Sequence, residues 1–95
     1  MTNSPRTMRR RGDHVILAVH VTERTRQAGR VQTVLTRHGD RIRVRLGLHD
    51  VHGEGGSPSG LIVLDVAGTP REAAALRRDL EAIEGVEVRS ILFRH

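Results

Sequence analysis

Thr69-Pro70-Arg71-Glu72-Ala73-Ala74-Ala75-Leu76-Arg77-Arg78-Asp79-Leu80-Glu81-Ala82-Ile83-Glu84-Gly85-Val86-Glu87-Val88 decides the fold, because one run holds a helix start, a helix face, a stop and a strand. Thr69 can accept a bond from the amide three residues on, and Glu72 can reach back to the Thr69 amide. Pro70 fits the first helical position, where no donor is needed. Ala73, Leu76, Leu80 and Ile83 recur at helical spacing and give the helix one apolar face. Gly85 supplies the stop. Val86 to Phe93 then reads as a strand, with Val86 and Val88 on one face and Ile91 and Phe93 on the other, a parity that admits a bulge near Ser90.

The first half of the chain echoes this plan. From Asp13 to Val21, Val15, Leu17, Val19 and Val21 alternate with His14, Ile16, Ala18 and His20, a strand with both faces at least partly covered. Ala28, Val31, Val34 and Leu35 then recur at helical spacing, with Thr22 as the expected N-cap and Gly39 as the expected stop. Asp40 to Leu48 sets Ile42, Val44, Leu46 and Leu48 against Arg41, Arg43 and Arg45, the pattern of a strand with one buried and one solvated face. Residues 50–60 hold Gly53, Gly55, Gly56, Pro58 and Gly60 and read as a flexible connection. Leu61 to Val66 is the third strand.

The order is therefore strand, helix, strand, strand, helix, strand. Two βαβ units with right-handed crossovers predict an α+β, ferredoxin-like βαββαβ fold, a four-stranded antiparallel sheet with both helices on one face. Its strand order should be 4-1-3-2. The uncovered face would then show Ile16, Ala18, Leu61, Val63, Ile91 and Phe93, an apolar patch larger than the roughly 400 Å² a soluble monomer tolerates. Self-association through that face, as a dimer or tetramer, follows as an expectation.

Ninety-five residues make one core. The basic tail, residues 1–12, is expected to be disordered and residues 13–95 to form the domain. The net charge of +5 is uneven: Arg6, Arg9, Arg10 and Arg11 lie in the tail, leaving twelve arginines against eleven acids beyond it. Every basic side chain is arginine. The single aromatic, Phe93, provides no base-stacking platform. Cysteine is absent, which excludes disulfides and thiolate sites. No apolar run exceeds strand length, so neither a signal peptide nor a membrane partner is expected, and a cytoplasmic location is.

No serine, histidine and acid are spaced as a triad, and no glycine-rich phosphate loop follows a strand, so the chain is not expected to be an enzyme or to carry a cofactor. Gly29 to Arg37 resembles the phosphate signature of acylphosphatases but falls inside the expected helix, whose amides are already spent. His49-Asp50-Val51-His52 offers two histidines to a metal, short of the three or four ligands such a site needs. Arg41, Arg43 and Arg45 form an arginine stripe on an edge strand. With Arg9, Arg10 and Arg11 it could contact nucleic-acid phosphates, but the near-neutral domain and the lack of interleaved aromatics favour a guard against strand pairing, and nucleic acid is not the expected partner.

Gly39-Asp40-Arg41-Ile42-Arg43-Val44-Arg45-Leu46-Gly47-Leu48, Gly60-Leu61-Ile62-Val63-Leu64, Gly68-Thr69, Leu80 and Gly85-Val86-Glu87-Val88-Arg89-Ser90 together resemble a family of small ACT-like proteins labelled regulators of the iron-only hydrogenase system. The family is similar in turn to the C-terminal sensing domain of nickel-responsive repressors, which assembles through its sheet. The nickel set of three histidines and a cysteine is not reproduced here. The resemblance implies a stand-alone regulatory or effector-sensing homo-oligomer that meets a small-molecule effector or a partner protein. It points to an effector site at a subunit interface near Thr22 and Glu23, and near Arg45 and Gly47.

Overall fold

Apolar alternation and helical periodicity sort the chain into two layers around one aliphatic core. The computed structural model describes residues 14–48 and 60–94. Strand β1 (His14–Val21) leads into helix α1 (Arg24–Arg37), one 3-10 turn (Gly39–Arg41) and strand β2 (Ile42–Leu48). Strand β3 (Gly60–Val66), helix α2 (Pro70–Glu81) and strand β4 (Val86–Phe93) follow. The sheet has the order β2-β3-β1-β4 and is antiparallel throughout, as the pattern predicts.

Val15, Leu17, Val19 and Val21 of β1 are buried with Val31, Val34 and Leu35 of α1 and with Ala73, Leu76 and Leu80 of α2. Leu64 and Val66 of β3 and Val88 of β4 complete the same cluster, so both helices cover one side of the sheet. The α2 start is the expected reciprocal box. The Glu72 amide donates to Thr69 Oγ1 at 3.1 Å, and the Thr69 amide donates to Glu72 Oε1 at 2.9 Å. Gly68 just before it has a φ of 97°, and a Cβ there would collide with the Glu72 carboxylate. Glycine is the residue that adopts such a φ without strain.

The first helix departs from expectation at both ends. Its N-cap is Glu23 rather than Thr22, and it makes no side-chain capping bond. The Thr22 amide is used elsewhere, donating to the Gly85 carbonyl at 2.9 Å. Gly39 is not a left-handed stop. Positive φ among the described glycines occurs at Gly68 and Gly85, and Gly39 opens the 3-10 turn. Strand β2 therefore begins at Ile42, and Arg41 lies before it.

A bulge does occur, but in β2 and not near Ser90. The β4 register runs unbroken from Val86 to Phe93. In β2, Ile42 opposes Val66 while Val44 opposes Asp65, so the register shifts at Arg43. That one extra residue turns Ile42 toward the core and Val44 and Leu46 to the uncovered side. The alternation of Ile42, Val44 and Leu46 is thus split between two faces.

Among the described residues, three side-chain contacts join the end of α1 and the 3-10 turn to α2, the longest between Arg37 and Asp79. His38 Nε2 lies 2.8 Å from Asp79 Oδ2, and Arg41 Nη2 donates to Glu72 Oε2 at 2.9 Å. The His38 bond holds the Asp79 carboxyl below its ordinary range, and the Arg41 bond does the same for Glu72, helped by the Thr69 amide. A folded carboxylate with a depressed pKa stabilises above its unfolded value and loses that contribution as pH falls through the folded one. Urea midpoints are therefore expected to hold near neutrality and to drop below about pH 4. Glu72→Gln should flatten that acid limb.

Candidate functional site

Among the described residues, no helix or strand covers the side of the sheet away from the helices. Register places Val44, Asp65, Ile16 and Ile91 in one row across the four strands, and Leu46, Val63, Ala18 and Arg89 in the next. Val44 is 56% exposed, Leu46 52%, Ile91 54% and Phe93 52%, values high enough that none of them belongs to the core of this chain. Strand spacing of about 4.8 Å and a rise of about 3.4 Å per residue give the face a footprint of about 450 Å². All six residues expected there are present, and β2 adds Val44 and Leu46.

Charge sits at the two ends of this apolar band. At one end Asp65, the penultimate residue of β3, is flanked by Arg43 of β2 and His14 of β1. Arg43 Nη2 donates to Asp65 Oδ1 at 3.2 Å, and His14 Nδ1 lies 3.3 Å from Asp65 Oδ2. The bulge at Arg43 delivers the guanidinium to this side. At the other end Arg89 pairs with Glu87 at 2.9 Å, beside His20 in register. The ion pairs close on themselves and leave the aliphatic middle without a polar partner.

The residues expected to hold an effector are only partly brought together. Thr22 and Glu23 are exposed where β1 meets α1. That turn is tied to the one before β4 by the Thr22–Gly85 bond and by Gln27, whose buried amide donates to the Glu84 carbonyl at 3.0 Å. Gly85 turns the chain here at a φ of 83°, a conformation that side-chain-bearing residues rarely adopt. Gly47 lies at the same end of the sheet, but β3 separates β2 from β1, a gap of about 10 Å. Arg45 projects to the helical side and donates to Gln32 of α1.

The arginine stripe is dispersed. Arg41 binds Glu72, Arg43 binds Asp65 on the uncovered face, and Arg45 binds Gln32 on the opposite one. Among the described residues no three His, Asp or Glu side chains converge as a metal site. His49 and His52, and Arg9, Arg10 and Arg11, lie outside the described residues. No described helix is long and apolar enough to cross a membrane. The His14–Asp65–Arg43 cluster is absent from the sequence-based expectations. Its signal was Asp65 itself, an acid in an apolar strand that needs polar partners.

No family model matches the chain, and no curated protein matches it in sequence. Among solved structures it is similar to that of the uncharacterized protein TM1266 from Thermotoga maritima, with a TM-score of 0.74 at 23% identity, over 85% of this chain and 96% of that one. At that identity the likeness concerns architecture. What the two share is a small ferredoxin-like α+β fold.

Proposed function

We propose that the chain is a stand-alone ACT-like regulatory module, working as a homo-oligomer in which two copies meet through their uncovered sheet faces. The observation that carries this reading is the apolar band of Val44, Leu46, Ile16, Ala18, Val63 and Ile91, closed at both ends by self-satisfied ion pairs. A second copy is the occupant that fits. It presents the same aliphatic side chains, and Asp65 and Arg89, the charges within the two rows, are each already paired inside their own copy, so that pairing buries no lone charge. Similarity to the regulators of the iron-only hydrogenase system, and to a sensing domain that assembles through its sheet, supports the regulatory half.

Effector sensing falls to the sheet end carrying Thr22, Glu23 and Gly47. Amino acids, nucleotides and divalent metal ions form the test panel for thermal shift on the native chain. One class is expected to raise the melting midpoint in a concentration-dependent way, as any ligand selective for the folded state must. Unchanged melting with all three would sink the sensing role while leaving the assembly untouched.

A further inference from the structure

We infer that the outer face of α1, together with Arg45 of β2, binds the phosphate backbone of a nucleic-acid duplex, a site distinct from the uncovered sheet face and independent of the regulatory reading. Counted over the whole domain, charge nearly cancels, yet it is divided unevenly along the chain. Residues 14–48 carry seven arginines against two acids, and residues 60–94 five against six. No acid occurs within Arg24–Arg37.

The geometry of α1 orders these charges. Gln27, Val31, Val34 and Leu35 are buried against the sheet and α2, so the opposite side of the helix faces outward. At 100° per residue, Arg26, Arg30 and Arg37 fall along one flank of that outer side. Arg45 stands on the other flank through its bond to Gln32. Between the two banks runs a shallow cavity of about 360 Å³ lined by Gly29, Gln32, Thr33 and Thr36. Nothing lies within 4 Å of where a Gly29 Cβ would sit, so a ligand can approach the backbone there.

Arg26 and Arg30 make no ion pair among the described residues, and Arg37 has only a long one, 3.8 Å to Asp79. Arg71 and Arg78 of α2 are likewise without an ion pair but share their helix with Glu72, Asp79 and Glu81, whereas α1 carries no acid and Arg41 and Arg43 are engaged by Glu72 and Asp65. From Arg26 to Arg37 the helix runs about 16 Å, enough to reach phosphates on both sides of a major groove about 12 Å wide.

The absence of other chemistry on this face selects the ligand. It offers guanidinium, hydroxyl and amide groups, the side chains that contact phosphate. It has no exposed large apolar residue of the kind that anchors a protein partner, since those lie on β2 and β4. Without an aromatic, single-stranded bases have nothing to stack on. Backbone contact with a duplex remains.

Fluorescence anisotropy of the full chain with a labelled DNA duplex of about two helical turns tests the inference. Binding is expected at about 50 mM salt and should weaken by about two orders of magnitude at about 200 mM, as for some four phosphate contacts. The triple variant Arg26→Gln/Arg30→Gln/Arg45→Gln should lose at least about tenfold in affinity and lower the salt slope by about 3. Arg71→Gln/Arg78→Gln/Arg94→Gln, with the same change in charge, should bind as the native chain does. Equal losses in both variants, or loss confined to deletion of residues 1–11, would overturn the assignment. So would displacement of the duplex by polyglutamate at matched charge. Circular dichroism melts of both variants separate lost binding from lost folding.

Discussion

Leu46→Arg combined with Ile91→Arg is expected to abolish the proposed pairing of sheet faces and leave a folded monomer. Both side chains are about half exposed in the single chain, so neither exchange opens a cavity or strains the core. In a two-fold pair each substitution appears twice, and four guanidinium groups would enter one aliphatic contact. Like charges brought together across an interface cost several kcal/mol. The dissociation constant should rise by about a thousandfold or more, read by sedimentation velocity. The circular dichroism spectrum should stay native. A variant that remains assembled would mean the subunits meet elsewhere.

Leu80→Ala should bring the largest loss of stability. Leu80 is fully buried in α2 at the centre of the cluster that joins both helices to the sheet. Truncating such a leucine removes its transfer free energy and leaves a void, about 3 to 4 kcal/mol together. Small domains hold about 5–15 kcal/mol in all, and each kcal/mol moves the midpoint of a domain this size by about 4–8 °C. A midpoint lower by about 15–25 °C is the expected calorimetric result. A drop of only a few degrees would show that α2 docks less tightly than its burial implies.

The second half of the chain was the more legible half, for a local reason. The capping box of α2 is written in four consecutive residues, and its two hydrogen bonds need nothing from the rest of the molecule. The start of α1 lacks such a box. Thr22 is a good capping residue by type, but its amide is drawn to Gly85, sixty-three positions along the chain, and the cap moves to Glu23. The bulge at Arg43 was hidden for a similar reason. Ile42, Val44 and Leu46 alternate without a break, and only pairing with β3 reveals that Ile42 and Val44 lie on opposite faces.

Site residues followed the same division. The apolar face could be read from strand parity, because parity is local. The fate of Arg41, Arg43 and Arg45 could not, since each takes a partner from another element: Glu72, Asp65 and Gln32. A near-zero total likewise concealed the charge separation between residues 14–48 and 60–94, which becomes a basic surface only when α1 turns its arginines outward. Asp65 alone announced its need for company.

Light scattering of the native chain at micromolar concentration tests the pairing of sheet faces most directly. A mass of twice the chain or a higher even multiple, falling to the single-chain value for Leu46→Arg/Ile91→Arg, is the predicted result. A native chain that scatters as one folded copy would contradict it, leaving a greasy sheet face open to water.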